Sequence, residues 1–256
     1  MAVLETVIKM FYSSGGLIGW PRARSLRDRV VCGDGQAGQN VAGDPRWVRF
    51  LRRERFLLLK NPALEICEMI QVPFEFKRLE IPDLILVKPR VFDDDRGSFL
   101  ETYKKDNFEA SGINGEFVQD NHSKSQYGVL RGLHFQREPH AQAKIVRCIR
   151  GVVYDVAVDL RRRSPTFGKY LSVILSEFNH HQLYVPKGYA HGFLTLSDAA
   201  EVVYKVDDIY SPECESGLIW NDPDVSISWP NDDPLLAPRD EEWPSLSHLI
   251  ETDGLF

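Results

Sequence analysis

The run Lys144-Ile145-Val146-Arg147-Cys148-Ile149, followed after a glycine by Val152-Val153-Tyr154-Asp155-Val156-Ala157-Val158-Asp159, decides the fold class of this chain. Both pieces are short, rich in Val and Ile, and bounded by turn-forming residues. Similar runs recur at Leu84–Pro89, Tyr170–Ser176, His181–Val185 and Glu201–Val206. Turn signals such as Ser164-Pro165-Thr166-Phe167-Gly168 and Pro186-Lys187-Gly188 punctuate them. Regular short strands separated by turns indicate an all-β sandwich or barrel, and a jelly roll suits the pattern. Its mouth is a natural ligand pocket, and its open sheet edges are of the kind that dimerisation covers. One helix is expected near Lys105–Ala110. Period-2 alternation puts Lys144, Val146 and Cys148 on one strand face and Ile145, Arg147 and Ile149 on the other. If the first set faces inward, the lysine lines the cavity.

Outward from this stretch, composition narrows the class. The chain has 256 residues, 43% hydrophobic and 27% charged, as in an ordinary soluble globular protein. No apolar run is long enough to span a bilayer. Glu5 and Lys9 interrupt the mildly apolar N-terminus, which makes a poor secretory signal. Cys32, Cys67, Cys148 and Cys214 lack metal-ligand or disulfide spacing, so reduced thiols and a cytoplasmic location are expected. Residues 1–68 carry 11 Lys/Arg and 7 Asp/Glu, whereas the remainder carries 20 and 30. A body that acidic argues against nucleic acid, whose phosphates demand a broad basic footprint. It leaves room for a small anionic ligand held by a few arginines.

The chain divides into two unlike parts. Residues 1–68 alternate glycine-bearing basic pieces with one amphipathic stretch around Trp47–Leu59, and they contain no repeat or chemical motif. They read as a poorly ordered extension: an organelle transit segment, a partner-binding arm or, as favoured here, sequence upstream of the true start at Met69. Residues 69–256 form the expected jelly-roll domain.

Within that domain the chemistry concentrates in Arg131-Gly132-Leu133-His134-Phe135-Gln136, which sets a charge and a titratable ring in an otherwise apolar strand. His134 is either a satisfied core histidine or a general base, and a base needs a carboxylate to orient its ring. Asp240 is one candidate, far off in sequence. His191 follows the turn Pro186–Gly188 in the manner of the second cupin motif, where a histidine often binds metal. With His134 it makes only two plausible ligands where three or four are needed, so no metal is expected. Tyr204, in an alternating strand, is either packing or a proton donor facing the histidine. Arg96, in Asp95-Arg96-Gly97, could join Arg131 and Lys144 on a pyrophosphate. Gln119 and Asn121 would then suit a nucleobase or sugar.

Val91–Glu101, Gln119–Ser123, Val129–Gln136, Asp155–Asp159, Ser164–Gly168, Pro186–Leu194 and Tyr204-Lys205 together closely resemble the dTDP-4-dehydrorhamnose 3,5-epimerase family, in order and spacing, over residues 70–256. The resemblance implies a cupin-type jelly roll, a homodimer and catalysis without metal or organic cofactor. It also implies a dTDP-linked 4-keto-6-deoxyhexose as substrate, inverted at C3 and C5 to dTDP-4-dehydro-L-rhamnose. By motif position it makes His134 the base, Asp240 its orienting partner, Tyr204 the acid and Lys144 the charge beside the enolate oxygen. His191 would line the pocket and Arg131 would lie near the phosphates. Arg96 and Glu101, from the neighbouring subunit, would meet the nucleotide with Gln119, Asn121, Glu215 and Tyr210. Two positions depart from the family pattern: Ala143 replaces a common glycine and Arg239 a common lysine, the latter at a phosphate or sugar contact. Single-site epimerases of the same fold, a non-catalytic sugar-nucleotide binder and a metal-dependent cupin dioxygenase are the competing expectations.

Overall fold

Alternating apolar strands need two surfaces to bury against, and here each surface is a sheet. The computed structural model describes residues 73–252 and 254–256. The extension 1–68, its expected helix at Trp47–Leu59, Met69, Cys32 and Cys67 lie outside the described residues. The strands are β1 (Phe74–Arg78), β2 (Ile85–Pro89), β3 (Val91–Asp94), β4 (Gly97–Leu100), β5 (Gln119–Gln126), β6 (Leu130–Gln136) and β7 (Lys144–Arg150). They continue with β8 (Val152–Asp159), β9 (Tyr170–Ser176), β10 (Gln182–Val185), β11 (Tyr189–Thr195), β12 (Ala199–Val206) and β13 (Glu215–Gly217). Three short helices accompany them: α1 (Lys105–Ala110), at the expected place, α2 (Pro238–Glu241) and α3 (Leu246–Glu251). No helix among the described residues is long and apolar enough to cross a membrane.

Two antiparallel sheets run β1-β2-β10-β7-β12-β5 and β13-β6-β11-β8-β9, and β3-β4 forms a separate hairpin. Val146 and Cys148 of β7 join Val202 of β12 and Leu183 of β10 in one cluster with Val153 and Ala157 of β8 and Phe193 of β11. Ile145 belongs to a different cluster, with Phe74, Val87 and Phe108. The alternation expected for β7 is therefore borne out, and Lys144 falls on the inter-sheet side. A third cluster packs Val156, Val158, Ala190 and Leu194 against Trp229, Leu246 and Leu249. Strand β8 is thus buried on both faces, which is why its sequence reads as a nearly continuous apolar run.

The turn after β8 is held by a buried carboxylate. Asp159 accepts from Arg161 Nε at 2.8 Å, Arg161 Nη2 at 2.7 Å and Thr166 Oγ1 at 2.7 Å. Arg161 also reaches Asp83 at 2.8 Å and the Tyr189 hydroxyl at 2.6 Å, so one guanidinium ties three parts of the chain. Burial pushes the Asp159 carboxyl up, but Arg161, Ser164 and Thr166 outweigh it and hold it at about 2. A folded value below the usual one contributes stability that is present above pH 4 and lost as pH falls through that value. Asp159→Ala should cost about 3–5 kcal/mol at neutral pH, because it leaves the guanidinium without its main partner. The urea midpoint measures this; an unchanged midpoint would remove the network from the stability of the fold.

Candidate active site

At one end of the inter-sheet space polar side chains replace the apolar packing and line a cavity of about 290 Å³. The five-stranded sheet contributes Arg131, His134 and Gln136 from β6, His191 from β11 and Glu215 from β13. The six-stranded sheet contributes Gln119, Asn121 and Ser123 from β5, Lys144 from β7 and Tyr204 from β12. Tyr210, Gln142 and Arg239 complete the polar lining.

Arg131 and His134 share this cavity because β6 slips. Residues three apart on a regular strand face opposite ways. In the pairing of β6 with β11, His134 lies opposite His191 and Arg131 opposite Phe193, so two residues stand against one. The extra residue is a β-bulge that re-aims the side chains after it. The site of the slip admits only glycine: Gly132 has φ of 135°, and a Cβ there would sit 2.6 Å from Gly192 Cα.

The bulge also receives the carboxylate that orients the histidine. Asp240, 2% exposed on α2, lies 2.8 Å from His134 Nε2 through Oδ1 and accepts from Gly132 N through Oδ2 at 3.3 Å. Burial raises the Asp240 carboxyl, but the hydrogen bond and charge of His134, the Gly132 amide and Arg239 outweigh it, so its value falls below normal and it is ionised at neutral pH. Trp243 meets the imidazole edge-to-face, with centroids 5.9 Å apart. A second pair stands alongside: His191 Nε2 lies 3.0 Å from Asp155 Oδ1, and that carboxylate is fully buried.

Lys144 is 8% exposed and donates to the His134 carbonyl at 3.2 Å. Burial lowers its ammonium to about 8, against the opposing pull of Asp155 and Glu215. Tyr204 moves the other way: burial and the Glu215 charge raise its hydroxyl, and Arg131 offsets part of this. It is a proton donor at neutral pH. The mouth is a connected polar chain. Gln119 donates to Asn121 at 2.9 Å and accepts from Tyr210 N at 3.2 Å. Tyr210 and Arg239 both donate to Glu215 Oε2, at 2.8 and 2.9 Å.

Ten of the expected residues therefore line one cavity, namely Gln119, Asn121, Arg131, His134, Lys144, His191, Tyr204, Tyr210, Glu215 and Arg239, with Asp240 directly behind. Arg96 and Glu101 are not among the lining residues. Arg96 is exposed at the turn of the β3-β4 hairpin, paired with Asp94, and Glu101 follows that hairpin with Oε2 buried and unpartnered among the described residues. Sequence reasoning missed Asp155, Ser123, Gln136, Gln142 and Trp243. For Asp155 a signal existed: a carboxylate inside the apolar run of β8.

A family profile described as dTDP-4-dehydrorhamnose 3,5-epimerase matches residues 78–248, which contain the whole cavity lining. The chain belongs to that family. A dTDP-4-dehydrorhamnose 3,5-epimerase of Shigella flexneri is 54% identical over 164 residues, which make up 64% of this chain and 91% of the relative. The one from Escherichia coli strain K12 is 52% identical over 175 residues, 68% of this chain and 95% of the relative. Among solved structures, dTDP-6-deoxy-D-glucose-3,5-epimerase from Legionella pneumophila, in complex with dTDP-4-keto-L-rhamnose, superposes with a TM-score of 0.68 at 42% identity. That match covers 71% of this chain and 97% of the Legionella chain. As a member of this epimerase family the chain is an isomerase, and its two packed antiparallel sheets are the cupin-type jelly roll expected from sequence.

Proposed function

We propose that the protein inverts C3 and C5 of dTDP-4-dehydro-6-deoxy-D-glucose to give dTDP-4-dehydro-L-rhamnose. The observation that carries this reading is His134 on one sheet, backed by Asp240 of α2, and Tyr204 on the other, the two lining one cavity with a buried lysine. The C4 ketone acidifies the hydrogens on both neighbouring carbons, so proton transfer suffices and no metal or organic cofactor is called on. His134 Nε2 donates to Asp240, which leaves Nδ1 to take the proton from carbon. The electron pair moves onto the C4 oxygen, and the Lys144 ammonium stabilises the enolate. Tyr204, protonated and on the opposite wall, returns a proton to the other face, and this inverts the centre. His191, fixed by Asp155, shapes the floor of the same pocket.

Arg131 and Arg239 supply charge for the diphosphate, and Gln119, Asn121, Tyr210 and Glu215 supply polar contacts for sugar and base. Arg96 and Glu101 act in a homodimer: the β3-β4 hairpin of one subunit reaches the cavity of the other. Phe99 on that hairpin is 66% exposed, an apolar surface that a second subunit would cover. Residues 69–256 form the catalytic unit, working in the cytoplasm.

Incubation with dTDP-4-keto-6-deoxyglucose in D2O tests the reading. Proton NMR should show deuterium entering at both C3 and C5. Exchange at one carbon alone would replace this function with single-site epimerisation, and exchange at neither would leave a binding protein.

A further inference from the structure

We infer that Trp243 is a positioning residue that holds the His134 imidazole in its working orientation, with Gly217 kept small to admit the indole. This inference rests on His134 being the base. Three contacts converge on the indole. It meets the imidazole edge-to-face at 5.9 Å and an interplanar angle of 72°. The guanidinium of Arg239, a lining residue of the cavity, lies over it at 5.9 Å. Beneath it is Gly217, paired in register with His134 itself. A Cβ on Gly217 would sit 2.3 Å from Trp243 Cδ2 and 2.4 Å from Cε2, a separation that only movement of the ring could relieve.

Trp243 follows α2 directly, so one short segment supplies both the carboxylate and the indole that act on the same ring. The hydrogen bond to Asp240 fixes one nitrogen but leaves the imidazole free to swing about that bond. The packed indole removes this freedom, as tight packing does for any side chain it touches. The segment is itself anchored, since Ile219 N donates to Pro244 O at 3.0 Å. The indole gains no hydrogen bond in exchange: Nε1 is buried and has no partner among the described residues. Its placement is therefore explained by what its ring touches, because a buried N–H without an acceptor is a cost that packing must offset.

The experiment compares W243A, W243F and G217A with the unaltered protein. Two readouts are used: steady-state kinetics on dTDP-4-keto-6-deoxyglucose, and the NMR order parameter of the His134 Cε1–Hε1 bond without substrate, its signal assigned by its absence in H134N. W243A should lower kcat on the order of 10- to 100-fold with little change in KM, the scale expected when a reacting group loses its alignment. The order parameter should fall as the freed ring gains motion. W243F should restore most of kcat, and G217A should resemble W243A although its tryptophan is intact. A W243A protein with unchanged kcat, or with lowered kcat and an unaltered His134 order parameter, would overturn the inference. Exchange that survives in H134A would instead sink the assignment of the base, and the ligand-free order parameter would still report on the grip of Trp243.

Discussion

His134→Ala should leave nucleotide binding largely intact while cutting deuterium incorporation at C3 and C5 by about 10²–10⁴-fold, the range for a positioned acid–base group. The two halves of this expectation have separate physical origins. In the proposed reading, affinity for the dTDP part rests on the polar mouth built from Gln119, Asn121, Tyr210, Glu215 and Arg239, none of which is bonded to the imidazole. Proton abstraction is assigned in the same reading to a ring whose Nε2 is tied to Asp240 at 2.8 Å and whose other nitrogen has no partner among the described residues. Removing the ring leaves a buried carboxylate facing a void, so His134→Asn serves as the companion variant that keeps a polar partner for Asp240. Calorimetric titration with dTDP and NMR exchange with substrate measure the two quantities. Exchange at a rate comparable to the unaltered protein would remove His134 from the role of base.

Lys144→Met should lower kcat by about 10²–10³-fold, the usual loss when a charge aimed at a developing oxyanion is deleted. It should also abolish a pH dependence. The buried ammonium, lowered to about 8, carries its charge below that pH, so kcat should fall as pH rises through it. Stability moves in the opposite sense. The folded value lies below the ordinary 10.5, so between these two values the unfolded chain binds the extra proton and stability rises with pH. A loss of activity accompanied by a gain in stability cannot come from unfolding. Tyr204, raised above its ordinary value of 10.0, keeps its proton across this window. Rate profiles from pH 6.5 to 9.5 beside urea titrations at the same pH provide the check. An alkaline limb that persists in the methionine variant would assign it to another group.

Much of this architecture was legible because burial writes itself into composition. The runs at β8 and β10 are apolar since both faces of these strands are buried, and α1 lies where expected. Strand β5 was not legible as a strand, because its inward residues Gln119, Asn121 and Ser123 face a polar cavity instead of the core. Alternation therefore carried no hydrophobic signal there. The slip in β6 was equally hidden: period 2 sets Arg131 and His134 on opposite faces, and only the pairing with β11 shows the extra residue. Asp240 lies more than a hundred residues from His134, and the resemblance, not any local pattern, singled it out. Arg96 and Glu101 carry the same motif signal, yet their own chain does not bring them to the cavity.

Among the described residues strand β5 also ends the six-stranded sheet, so the polar wall of the cavity is at the same time an edge strand. Its outward residues include Asp120, His122 and Lys124, which leave little for another chain to zip onto. In the proposed reading, ligand recognition and colloidal behaviour are thus written in the same eight residues. A redesign that made β5 more apolar to grip a less polar sugar would also remove its protection against strand-to-strand association. Changes of specificity in this scaffold are better sought on interior β12 or β7, where tighter packing carries no such penalty.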